Sequence, residues 1–237
     1  MRKRGFTLIE LLVVVSIIAL LIAILLPSLQ RARVQGKRTV SAANMRSIGI
    51  GIEMYAGDYG GSFPETSHGV AATRSWIFTL RPYLGDVDEV RICPADPKGR
   101  QRLAADGSSY VLNEYVAVRP LDPFGQPLPD EPDFTVKHRL KRPGETVTVF
   151  VCADNYTMGP TGDHTHSRIW FQPAPSVPWD KIRDDIQPDR YHVGGASRDN
   201  TKGSSNYLYA DGHVTSITAE ALKALADGRV NFARPRQ

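Results

Sequence analysis

Hydrophobic residues are spread unevenly along this chain. From Phe6 to Leu26 it reads FTLIELLVVVSIIALLIAILL, 21 residues in which only Thr7, Glu10 and Ser16 are polar. At about 1.5 Å of rise per residue, a helix of that length covers about 30 Å, the hydrocarbon thickness of a bilayer. A secretory signal peptide would have a shorter apolar region and a small-x-small cleavage site; here the run passes straight into Pro27-Ser28-Leu29-Gln30-Arg31-Ala32-Arg33, so the segment is expected to be retained. Ser16, Ala19 and Ala23 place small residues three and four apart, which lets helices approach closely in lipid. Pro27 has no amide to donate to the Ala23 carbonyl and is expected to bend or loosen the helix.

Beyond Pro27 the apolar period continues through Leu29, Val34, Met45, Ile48, Ile52 and Tyr55, interrupted by Arg31, Arg38 and Arg46. This predicts an amphipathic helix over residues 27–57, stopped by the breaker cluster Gly57-Asp58-Tyr59-Gly60-Gly61. The pattern then changes. Residues 62–237 are sufficient for one domain, in which the β-prone runs Thr146–Val151 and Tyr207–Ala210 alternate with Pro-rich loops, as in an antiparallel sheet. Asn206–Ile217 reads as strand, Asp211-Gly212 turn, strand, the strongest hairpin signal in the chain. Residues 120–132 are Pro- and Asp-rich and read as a surface loop, and residues 219–226 read as a last helix ending at Asp227-Gly228. The predicted fold class is α+β, with a long N-terminal helix packed on an antiparallel sheet.

Charge adds an orientation. The formal net charge is +4, with a pI near 9.1. Residues 1–52 carry eight Lys or Arg against Glu10 alone, a balance of +7 that leaves −3 for the rest. A basic front end beside an apolar run is an interfacial or topological signal, and an acidic body is a poor phosphate binder, so nucleic acid is not an expected partner. Counting Arg2, Lys3 and Arg4 against Arg31, Arg33, Lys37 and Arg38 leaves orientation roughly tied.

Glu10 requires a reason, since a carboxylate in lipid costs on the order of 2–3 kcal/mol even on lenient insertion scales. Were the chain cut between Gly5 and Phe6, the new ammonium at Phe6 would lie about 6 Å of helical rise from Glu10 and could neutralise it, within one subunit or between two. The helix N-terminus adds a favourable dipole. Met1-Arg2-Lys3-Arg4-Gly5 followed by Phe6-Thr7-Leu8-Ile9-Glu10-Leu11-Leu12-Val13-Val14 resembles the prepilin processing and methylation signature of type IV pilins and type II secretion pseudopilins. The resemblance implies a pilin-like fold, cleavage after Gly5 and methylation of Phe6 by a prepilin peptidase, and a role for Glu10 in guiding subunit assembly. It implies other pilin-like subunits and an inner-membrane assembly platform as partners. It also breaks the orientation tie: the leader, residues 1–5, faces the cytoplasm, residues 6–26 cross the inner membrane, and the body lies in the periplasm or on an extracellular filament. Loss of the leader would take the formal charge from +4 to +1.

The C-terminal part resembles a motif of a large pilin-like subfamily in which a His precedes Asp-Gly by nine residues. Here His192 begins the match and Asp211-Gly212 completes it, but 18 residues intervene, as though residues 196–204 were inserted. Met54-Tyr55-Ala56, Phe63-Pro64 and Cys93-Pro94-Ala95-Asp96 match as well. Cys93 and Cys152 both fall in the exported body, where a disulfide between them and a pair of buried thiols are both open. Asp184, Asp185 and Asp189 offer oxygen ligands of the kind with which some major pseudopilins hold calcium in a C-terminal loop, and calcium is the one cofactor considered. His164 and His166 could share one side of a strand as metal ligands, against the alternative of a polar loop. No Gly-x-Ser-x-Gly elbow, phosphate-binding loop or His-Glu-x-x-His helix is present, so nothing points to an enzyme. The expectation is a structural filament subunit; the competing expectation is a monomeric, membrane-tethered domain that binds a glycan or a metal.

Overall fold

The protein is described from a computed structural model covering residues 8–68, 70–122, 124–173, 175–194 and 197–237. Helix α1 (Leu8–Asp58) is unbroken over 51 residues and passes through Pro27. At about 1.5 Å per residue it is roughly 75 Å long, far more than a domain of this size can cover. Its two halves therefore meet different surroundings. The window of highest mean hydropathy, 3.2, has none of its surface buried in the protein, so this helix is long and apolar enough to cross a membrane. From Ser41 onward the opposite condition holds, and Met45, Ile48, Ile52, Tyr55 and Ala56 are buried at spacings of three and four. Burying each of the larger four contributes about 1.5–3 kcal/mol. Leu29, expected on this packed stripe, is exposed instead. The body begins to cover α1 at Val34, which packs against the core, and the Arg38 carbonyl accepts a 2.9 Å hydrogen bond from Asn206 Nδ2.

Four strands, β1 (Tyr110–Leu112), β2 (Val147–Val151), β3 (Ser204–Tyr209) and β4 (Val214–Thr218), form one antiparallel sheet in the order β1-β2-β3-β4. Tyr110 pairs with Val151 and Leu112 with Val149. The β2–β3 register slips between Val147 and Val149, which face Tyr209 and Leu208 respectively, as a bulge requires. Along β3 the side chains alternate: Leu208 meets α1, while Tyr207 turns to the other face and packs edge-on to Phe150 at 5.9 Å between ring centroids. Phe150 is also edge-on to Trp170, again at 5.9 Å, so a second layer covers the sheet opposite α1.

Glycine lets α1 come this close. A Cβ built at Gly49 would lie 3.1 Å from Leu208 Cδ1, and one at Gly51 would lie 3.1 Å from Leu84 Cδ2. Two glycines inside a helix cost about 1 kcal/mol each in propensity, which the close packing of these leucines offsets.

Shorter helices fill the remaining layer: α2 (Trp76–Thr79), α3 (Gly99–Ala104), α4 (Glu114–Ala117) and α5 (Pro178–Asp185). Helix α6 (Ala219–Asp227) follows β4 directly. Thr218 caps it by accepting a 3.2 Å bond from the Ala221 amide, and it ends at Gly228.

Candidate assembly and processing site

Glu10 lies in the first turn of α1, on its exposed surface. A carboxylate there is favoured by the helix dipole, as the sequence implies. Gly5 and Phe6, the cleavage and methylation positions, lie outside the described residues. Ser16 turns its hydroxyl back to the Val13 carbonyl at 2.8 Å, which removes a free donor from the apolar surface. Ser28, beside Pro27, does the same to the Leu25 carbonyl at 2.8 Å.

The C-terminal pieces are built but not gathered. The hairpin turn closes with the Tyr209 amide donating to the His213 carbonyl at 2.9 Å, and Gly212 takes a left-handed φ of +88°. Asp211 Oδ1 accepts from the His213 amide at 3.1 Å and faces the His213 ring nitrogen at 2.5 Å. Although partial burial opposes it, these hydrogen bonds from His213 hold the Asp211 carboxyl below the usual carboxylate range. His192 sits at the other end of β3, since Tyr191 pairs with Ser204. That strand separates His192 from Asp211 by about 20 Å at about 3.3 Å per residue. The His192 ring nitrogen lies 2.8 Å from the Asp189 carbonyl, so its contacts are local.

Cys93 and Cys152 are free, buried thiols. The Cys93 sulfur is 3.5 Å from the Tyr191 hydroxyl, and the Cys152 thiol faces the Ser108 carbonyl at 3.7 Å. Burial pushes the Cys152 thiol up to about 12.

The three candidate calcium ligands point to different neighbours. Asp184 is exposed beside Lys181. Asp185 is buried and accepts from Trp170 Nε1 at 2.6 Å and from the His166 amide at 2.7 Å. Asp189 accepts from Gln187 Nε2 at 2.6 Å and Asn200 Nδ2 at 3.0 Å. Among the described residues, no group of three His, Cys, Asp or Glu is placed to hold a metal ion. His164 and His166 do lie close, their ring centroids 5.3 Å apart, but each faces its own carboxylate. His164 Nδ1 is 2.8 Å from Asp163 and His166 Nδ1 is 3.3 Å from Asp185. The hydrogen bond to Asp185 raises the His166 pKa against the opposing effect of burial.

Sequence reasoning missed the role of Asp96 in the Cys93-Pro94-Ala95-Asp96 match. It accepts from Arg102 Nε at 2.9 Å, Ser109 Oγ at 2.7 Å and the Lys98 amide at 2.8 Å, and it anchors the loop before α3. An Asp after Cys-Pro is the signal that could have marked it. Only the fold supplies Arg102.

A lipid-length helix bare of protein, continuing without interruption into a helix clamped on a four-stranded antiparallel sheet, defines a pilin-like α+β architecture. Residues 1–26 match the family described as the prokaryotic N-terminal methylation motif. The chain is also similar to the "Type II secretion system core protein G" of Pseudomonas aeruginosa, 35% identical over 71 residues, which are 30% of this chain and 49% of that protein. It is similar to the "Fimbrial protein" of Dichelobacter nodosus, 32% identical over 102 residues, covering 42% of this chain and 64% of the relative. Against the "Type IV wide pilus major component PilA4" of Thermus thermophilus it is 48% identical over 52 residues, 22% of this chain and 40% of the relative. The chain thus spans between 40% and 64% of the length of these curated relatives. No solved structure matches it.

Proposed function

We propose that this protein is a pilin-like structural subunit, cleaved after Gly5 and methylated at Phe6 by a prepilin peptidase. Residues 6–26 hold it in the inner membrane with its body in the periplasm. Packing of α1 against other subunits, guided by Glu10 and driven from an inner-membrane platform, builds a type II secretion pseudopilus or a type IV pilus-like filament. The observation that carries this reading is the undivided α1: an apolar half that the protein leaves uncovered continues as one helix into a half that packs on the sheet. Such a subunit works mechanically and needs no catalytic residue or cofactor. The methylation motif in residues 1–26 and the printed names of the relatives support the same reading.

Intact-mass measurement of protein extracted from host membranes is expected to find a mature chain that begins at a methylated Phe6. Cross-linking in those membranes is expected to give a ladder of multimers that disappears in Glu10→Ala. A chain still beginning at Met1, or a ladder indifferent to that substitution, overturns the reading.

A further inference from the structure

At the membrane-distal end of α1 a cleft of about 610 Å³ opens between the helix end and the segment around Arg119. That volume lies within the range of about 300–1,000 Å³ usual for small-ligand sites. On one wall stands Tyr59, just past the last turn of α1. Its ring is stacked on Tyr55, centroids 4.2 Å apart and planes 12° from parallel, and Tyr55 is itself buttressed edge-on by Tyr83 at 6.1 Å. One face of Tyr59 is therefore fixed against protein, while the residue remains 56% exposed. The turn that sets this angle uses Gly60 and Gly61, with φ of +64° and +84°.

Phe63, Ala117, Val118 and Leu121 add apolar lining, and the carboxylates and guanidiniums among the remaining residues are balanced in sign. Glu65 and Arg74 face each other at 3.8 Å across the rim, and Arg119 and Asp122 come from the facing segment. Asp122 is already occupied, its carboxylate accepting from the Phe124 and Gln126 amides at 2.8 Å each. Glu65 and Arg74, paired with each other but exposed, and the exposed Arg119 stand at the rim.

The ligand class follows from three features. A cleft with paired charges of both signs has no net field to select a strongly charged ligand, so phosphate-rich molecules are poor fits. A rigid, half-open aromatic face suits a flat apolar surface such as the C–H face of a pyranose ring. Planar carboxylate and guanidinium groups around it suit neighbouring hydroxyls, which need donors and acceptors together. Position removes one competitor: Tyr55 lies about 45 Å of helical rise beyond Leu26, out of reach of bilayer lipid.

We propose that the Tyr59 cleft binds a neutral oligosaccharide, one sugar ring stacked on Tyr59 and its hydroxyls held by Glu65, Arg74 and Arg119. Such a site would attach the body to a polysaccharide surface, and it does so whether or not the chain assembles.

The test uses the full chain in lipid nanodiscs, since a maltoside detergent would compete. Saturation-transfer NMR is recorded with cellotetraose, chitotetraose, maltotetraose and mannotetraose. At least one is expected to receive transfer, strongest at its ring C–H protons. Tyr59→Ala is expected to weaken that binding by about tenfold or more, while Tyr59→Trp preserves it. If Tyr59→Ala lowers the unfolding temperature, Arg119→Ala, altered at an exposed side chain, carries the same expectation. No transfer to any of the four sugars overturns the proposal, as does binding that survives both alanine variants.

Discussion

Arg102 Nε lies 2.9 Å from Asp96 Oδ2, and neither side chain has any exposed surface. The pair is not an isolated salt bridge. Arg102 also donates to the Ala153 and Thr157 carbonyls at 2.9 Å each, and Asp96 also accepts from Ser109 and the Lys98 amide. Together they tie the loop before α3, the start of β1 and the chain after β2 into one knot. Because the charges are fully desolvated, their mutual attraction matters only while every partner is in place.

Asp96→Ala is expected to destabilise the protein by about 3–5 kcal/mol, read from the shift in denaturant midpoint at constant slope. Replacing both residues with Leu and Met should not restore stability, since the Ser109 hydroxyl, the Lys98 amide and the Thr157 carbonyl would then lose these partners. A double variant as stable as the parent would show that the knot contributes nothing.

The thiols provide a second expectation. A buried Cys152 whose pKa is pushed up to about 12 carries almost no thiolate at neutral pH, and thiolate is the reactive form. In the native protein its labelling by a disulfide reagent should be slower than that of an exposed cysteine by orders of magnitude. It should speed up with denaturant along the unfolding curve. Rapid native labelling would place it at the surface.

Gly203 and Gly194 make a controlled pair. Both have positive φ, +129° and +94°, but a Cβ at Gly203 would lie 2.9 Å from the Tyr191 carbonyl oxygen, while one at Gly194 meets nothing within 4 Å. Gly203→Ala is expected to lose both backbone ease and the close approach of the Tyr191 segment to β3, at least 1–3 kcal/mol. Gly194→Ala should lose only the conformational part, about 1–3 kcal/mol, and so less than Gly203→Ala. Equal thermal shifts for the two would contradict this account.

His166 and Asp185 give a pH dependence of definite sign. The hydrogen bond to Asp185 raises the folded pKa of His166 above its usual 6.5. Its contribution is therefore complete below 6.5 and fades as the pH rises through the raised folded value. The His166 side chain is half exposed, so screening holds the contribution to under about 1 kcal/mol. Thermal unfolding of the parent and His166→Gln should differ most below pH 6.5 and converge as the pH rises through the raised folded pKa. A gap that widens with pH would reverse the assignment.

The sequence by itself carried what depends on neighbours along the chain. A 21-residue apolar run specifies a lipid-length helix whatever follows it, because each residue faces the same solvent. The Asp211-Gly212 turn and the last helix were legible for the same reason. A left-handed turn and a Thr cap are satisfied by atoms within a few residues. Strand β2 was legible as the β-prone run Thr146–Val151, and the fold buries all five of its residues.

Tertiary structure decided everything set by partners distant in sequence. The order β1-β2-β3-β4, the three-residue β1 and the eight-residue α5 follow from packing against α1 and Trp170, which no local pattern encodes. The same holds at the candidate sites. Whether two cysteines bond, whether three aspartates converge, and whether His192 reaches Asp211 are questions of distance across the fold. Burial of both thiols and the length of β3 are among the facts that such questions turn on, and neither can be read along the chain. Tyr59 became a platform only because the end of α1 set it flat on Tyr55.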